Sequence, residues 1–242
     1  MSSYTNNNSK SKSPNHETIV REVRAGNIKP IYYLMGEESY YIDRVAGFIV
    51  DSLLKPEERD FNLITFFGAE ADIDSVIGAA RGFPMGAHRL VAEVKEAQHL
   101  RNIERLEYYF KQIPSASVLI FCHKNGTIDR RKKVASLIEK YGVLYESKKI
   151  YENMIPTFIY DYLRRKGLGI EASAAVILAE SVGADLNRMA GELDKLCVAM
   201  VSSEKKTVTS DLVEKNIGIS KNYNVFELQD ALSQKDVLRA NR

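Results

Sequence analysis

Along residues 16–147, short apolar runs alternate with stretches whose apolar positions recur at helical spacing. Residues 17–26 read as a short helix ended by Gly26, and Pro30 then opens the apolar run 31–35, which predicts a buried strand. Ile42, Val45, Phe48, Ile49 and Leu53 fall on one stripe and predict an amphipathic helix. The alternation over 60–67 predicts a strand, and 72–80 predicts a helix with acidic residues at its positive end. Strand-like 89–94, helical 103–110, strand-like 117–121, helical 129–141 and strand-like 143–146 complete the series. Repetition of β then α predicts a mainly parallel sheet with helices on both faces.

After about residue 150 the strand pattern stops, and 153–166, 171–181, 185–200 and 210–216 are successive helical patterns. The third carries Leu186, Met189, Leu193, Leu196, Cys197 and Met200 at helical spacing. The expected class is therefore α/β followed by all-α. Residues 1–15 are rich in Ser, Asn and Lys, cannot repay ordering entropy, and are expected to form a mobile tail outside the fold.

Composition narrows the function classes. A net charge of +2 over 242 residues is too small for electrostatics to dominate, so any nucleic-acid contact must be local. Cys122 and Cys197 each lie inside an apolar pattern and read as buried free thiols. The apolar run 117–122 is far shorter than a membrane span and no signal-peptide pattern opens the chain, so a cytosolic location without membrane association is expected. His16, His88, His99 and His123 show no spacing that pairs them with Cys, Asp or Glu as a metal or triad set, and each reads as a lone surface histidine.

Two loops carry the functional argument. The first is Gly36-Glu37-Glu38-Ser39, between a strand and a helix, which is the setting of a phosphate-binding loop. A working loop needs several glycines and a lysine followed by Ser or Thr; here one glycine stands with two carboxylates that would repel a triphosphate. The strand 118–121, at the place expected for magnesium-binding carboxylates, ends instead in Cys122-His123-Lys124-Asn125. Both halves of an ATP site fail together, against an active ATPase and for a scaffold that binds no cofactor.

The second loop is Gly82-Phe83-Pro84-Met85-Gly86, which places two large apolar side chains around a proline between two glycines. Either Phe83 folds back under its own loop or it faces solvent and awaits a partner. The basic run Arg130-Arg131-Lys132-Lys133, placed near the start of a helix, is either a DNA-phosphate patch or a solvated helix face, and no aromatic residues interleave to stack bases. A nucleic-acid-binding module on a scaffold that has lost its nucleotide site is the alternative reading of the whole chain.

The Gly-Glu-Glu turn leading into a Tyr-and-Ile helix, the Phe-Pro-Met tip, and the segment 182–196 with its Gly183, Asp185-Leu186 and Glu192-Leu193-Asp194-Lys195-Leu196 resemble the delta subunit of the bacterial DNA polymerase III clamp loader. That resemblance implies an AAA+-like, P-loop NTPase-type domain without a nucleotide site over 16–150 and a small helical lid domain over 151–220. It also makes 221–242, with the helical pattern 224–232, the start of a truncated helical collar. The implied task is non-catalytic: the tip, Gly82, Phe83, Pro84 and Met85, binds the sliding clamp (beta) and opens one ring interface for loading onto primed DNA. Partners would be the clamp and, through the collar, the delta prime and gamma/tau subunits of the polymerase holoenzyme, which would supply ATP hydrolysis. Better-known members pair a leucine with the phenylalanine, whereas this chain has Gly82 before Phe83 and Met85 two residues after it.

Overall fold

The computed structural model describes residues 14–201 and 206–216, so all but the last two residues of the tail expected over 1–15, and the collar pattern over 224–232, lie outside the described residues. The chain divides into two compact units, 1–149 and 150–242.

The first unit opens with α1 (His16–Arg24), capped by the Asn15 side chain, and β1 (Ile31–Gly36). It continues through α2 (Ser39–Leu53), a 3-10 turn Pro56–Glu58, α3 (Arg59–Asn62), β2 (Leu63–Phe67) and α4 (Ile73–Ala80). Then come β3 (Leu90–Lys95), a 3-10 helix Ile103–Lys111, β4 (Ser117–Lys124), α5 (Lys133–Tyr141) and β5 (Val143–Ser147). The strands form one sheet in the order β2-β3-β4-β1-β5, every pairing parallel.

Alternate residues of the central strands feed two separate cores, so β1 and β4 read as unbroken apolar runs. Ile31, Tyr33, Met35, Leu119 and Phe121 join residues of α4, α5 and the 3-10 helix on one face. Tyr32, Leu34, Ile120 and Cys122 join residues of α1 and α2 on the other. Helices on both faces are thus required by the side-chain alternation of buried strands.

Several expectations are corrected. Residues 60–62 are helical, because Asp60 and Asn62 belong to the turn of α3, and the strand begins at Leu63. Helix α5 begins at Lys133, with Lys132 at its N-cap, so most of the basic run precedes the helix instead of riding on it. Residues 103–111 form a 3-10 helix entered through Asn102, whose φ of 57° is left-handed.

The second unit contains α6 (Ile155–Arg165), β6 (Gly169–Ile170), α7 (Ala172–Val182), α8 (Leu186–Ala199), β7 (Thr207–Val208) and α9 (Ser210–Asn216). The parallel pair β6 and β7 was absent from the sequence expectation; two-residue strands are too short to show a period of two. Asp185 caps α8 by accepting from the Arg188 N–H at 3.0 Å, and Leu186, Met189, Leu193 and Leu196 are its buried stripe. Cys197, expected to be buried, is half-buried on the rim of that stripe.

Candidate functional site

In a parallel sheet all strands point one way, so the loop after β1 and the loop before β3 lie at opposite ends. The end after β1 is the natural ligand crevice, because chain connections leave β1 and β4 in opposite directions there. In this chain backbone hydrogen bonds stitch that crevice shut. The Gly36 N–H donates to the Gly126 carbonyl at 2.9 Å, and the Asn125 N–H donates back to the Gly36 carbonyl at 2.9 Å. The Glu37 N–H donates to the Ser147 carbonyl at 3.1 Å, and the Tyr40 N–H to the Glu38 carboxylate at 3.3 Å.

The N–H groups of Gly36, Glu37 and Tyr40, which could otherwise meet a phosphate, are therefore engaged within the protein itself. Glu38, 8% exposed, places its own carboxylate at the N-terminus of α2, where a bound anion would gain from the helix dipole. Gly36 has φ of 129°, and a Cβ there would overlap the Ser147 carbonyl, which explains the single glycine of this turn.

The flank of the crevice is also occupied. Lys124, at the end of β4, pairs with Asp43 of α2 at 2.8 Å. Glu93 on β3 is buried beside Lys95 at 3.8 Å, and loss of solvent pushes its carboxyl above the usual range. His123, expected at the surface, is half-buried, with its Nδ1 2.8 Å from the Tyr33 hydroxyl. Burial first, and the charge of His99 second, hold its imidazole below the ordinary value.

The opposite end presents the tip. Phe83 is 89% exposed and Met85 64% exposed, so Phe83 does not fold back under its own loop. One leg of the loop is held by the end of α4, where the Gly82 N–H donates to the Ala79 carbonyl at 3.0 Å. The other leg is held by Arg89, which donates to the Ser115 carbonyl, and by the Leu90 N–H, which donates to the Ala116 carbonyl at 3.0 Å. Gly86, with φ of 66°, supplies the left-handed residue that lets the chain return toward β3.

The apex is held by Asn62, a residue without a sequence signal for that role. Its Oδ1 accepts from the Met85 N–H at 2.7 Å and its Nδ2 donates to the Met85 carbonyl at 2.9 Å. Nδ2 also donates to the Glu58 carbonyl at 2.9 Å. Arg59, three residues earlier, pairs with Asp51 of α2 at 2.8 Å, so the support of the tip continues into the helical layer. Phe61, beside Asn62 in sequence, is a further exposed aromatic at this end.

The basic run is locally neutralised. Arg130 pairs with Glu139 at 2.9 Å and Glu146 at 2.8 Å, Arg131 with Asp129 at 2.9 Å, Lys132 with Glu104, and Lys133 with Glu107 at 2.7 Å. Among the described residues, no group of three or more His, Cys, Asp or Glu could hold a metal ion, and no helix is long and apolar enough to cross a membrane.

A five-stranded parallel sheet with helices on both faces, a closed loop after β1 and helical segments following it define an AAA+-like, P-loop NTPase-type scaffold. Residues 32–148 match the family model described as "DNA polymerase III, delta subunit". The match takes in most of the α/β unit, which is similar to that family.

The DNA polymerase III subunit delta of Bacillus subtilis (strain 168) is 27% identical over 222 residues, covering 87% of this chain and 63% of that protein. The probable DNA polymerase III subunit delta of Aquifex aeolicus (strain VF5) is 31% identical over 110 residues, covering 45% of this chain and 30% of that protein. The solved structure of the Bacillus subtilis DNA clamp loader delta protein (YqeN) has a similar fold, with a TM-score of 0.72 at 23% identity over 93% of this chain and 69% of that one. This chain thus spans less than two thirds of the length of the curated relatives it matches.

Proposed function

We propose that this chain is the clamp-engaging part of a clamp-loader delta subunit in bacterial DNA replication, acting in the cytoplasm without catalysis of its own. Phe83, stiffened by Pro84 and flanked by Met85, is the anchor that enters an apolar pocket on the sliding clamp (beta). The single observation that carries this reading is an aromatic side chain 89% exposed at the apex of a loop whose backbone is fixed on three sides. A rigid loop holding a bare aromatic in water is the arrangement of a binding hot spot before its partner arrives. Residues 151–220 act as the lid domain and 221–242 begin the collar, through which delta prime and gamma/tau would join the chain to the polymerase holoenzyme and bring ATP hydrolysis and primed DNA. The delta-subunit family match over 32–148 supports this assignment. The nucleic-acid-module alternative gains nothing from the basic run, whose cations already have carboxylate partners.

Ring opening follows from linkage. A ligand shifts a closed ring toward the open form only by its differential affinity for the two. Binding of this chain to the sliding clamp of the same bacterium should therefore be tighter when the ring interface is disrupted by mutation than when it is intact. Equal affinity for both would remove the opening role while leaving a docking role.

A further inference from the structure

We propose that Asn62 is the positioning residue of the tip, fixing the Met85 backbone so that Phe83 is presented ready to bind. The binding part of this proposal rests on the function proposed above; the structural part does not.

Asn62 is fully buried, and a buried primary amide is costly unless its donors and acceptor are used. Its three hydrogen bonds are unequal in meaning. The bond to the Glu58 carbonyl closes the local turn of α3, four residues back. The other two go to the N–H and the carbonyl of a single residue 23 positions later, in the manner of a strand partner. Holding both polar groups of Met85 fixes the peptide planes on either side of it. The preceding residue, Pro84, has its φ already set by its ring. Two consecutive residues after Phe83 are thus immobilised, while Phe83 itself leaves its side chain in solvent.

An unneeded loop could be closed by water at lower cost. A buried side chain spent on the apex of an exposed apolar loop points to preorganisation, where the entropy of ordering the loop is spent before the partner arrives.

The chemistry makes Asn62→Ala and Asn62→Asp a matched pair. Alanine removes all three bonds; aspartate keeps an acceptor for the Met85 N–H but turns the donor toward two carbonyl oxygens into a repelling carboxylate. Hydrogen exchange of the full chain, read amide by amide, should show the Met85 N–H losing its protection in Asn62→Ala while the Val91 and Ala92 amides of β3 keep theirs. Asn62→Asp should retain part of the Met85 protection, a graded rescue that general loss of stability would not produce. Affinity for the sliding clamp of the same bacterium should fall by about tenfold in Asn62→Ala. In a Phe83→Ala background the same change should cost less than about threefold, because the residue acts through the anchor.

Slow Met85 exchange in a folded Asn62→Ala protein overturns the proposal, as does fast exchange with clamp affinity unchanged, or full additivity with Phe83→Ala. If Asn62→Ala fails to fold, Asn62→Asp decides instead: Met85 exchange faster than wild type is expected, and exchange equal to wild type overturns the proposal. If the wild-type chain does not bind the clamp, the proposed function falls, and the Met85 exchange rate alone then decides whether Asn62 holds the tip.

Discussion

Replacing Phe83 by alanine separates binding from stability. An aromatic side chain buries about 150–250 Å² when fully enclosed, which at about 25 cal/mol per Å² sets a ceiling of about 4–6 kcal/mol. Phe83 is 89% exposed in the free chain, so nearly all of that gain remains available to a partner and almost none contributes to folding. Enclosure of about half the ring gives about 2–3 kcal/mol, or about 30- to 150-fold in affinity. Folding stability should move by less than about 0.5 kcal/mol, as for an exposed surface substitution. Isothermal titration against the sliding clamp of the same bacterium at fixed salt, paired with urea denaturation of both proteins, measures the two quantities independently. Unchanged affinity would refute the anchor role. A large loss of stability would refute the reasoning from exposure, because it would mean that the ring contributes to the fold in solution.

Met85→Ala should weaken clamp binding by about fivefold and leave stability nearly unchanged, since Asn62 holds the Met85 backbone and not its thioether; the same titration checks both. Gly36→Ala should cost about 3 kcal/mol by urea denaturation, because alanine must adopt a positive φ and meet the Ser147 carbonyl; a loss below about 1 kcal/mol would show that the loop relaxes freely. His123 should make the protein less stable in acid. Its folded-state affinity for protons is depressed by burial, so the unfolded chain takes up the proton first as pH falls through the ordinary value of 6.5, and stability present above that pH is lost below it. Melting temperatures measured from about pH 7.5 to about pH 5.5 should fall less steeply in His123→Gln than in wild type, and parallel curves would exclude His123 as the cause.

The tip and the closed loop were legible because both are written in local residue types. Glycine, proline and two apolar side chains within five residues describe a surface turn but leave open whether Phe83 folds under it, and the structure places Phe83 and Met85 in solvent. The two carboxylates after Gly36 announced a loop hostile to phosphate, although not that Glu38 would take the anion position itself. What was illegible depends on distance along the chain. Asn62 carries no signal because its partner is 23 residues away, and the neighbouring Phe61 was read into a strand by its alternation with polar residues. The basic run was visible, but its partners Glu104, Glu107, Asp129, Glu139 and Glu146 are brought together only by the sheet and the helices that cover it.

The two ends of the sheet explain each other. At the crevice end, mutual backbone bonds between the loops after β1 and β4 use donors that could otherwise meet phosphate, and the Lys124 to Asp43 pair neutralises the cation at the end of β4. These bonds, together with the Glu38 carboxylate at the N-terminus of α2, work against a bound phosphate at this end. On the function proposed above, the contact is made at the other end, and β3 and β4 run from one loop to the other in fixed register. On that same function, access to the exposed Phe83 side chain is what decides when a partner can bind.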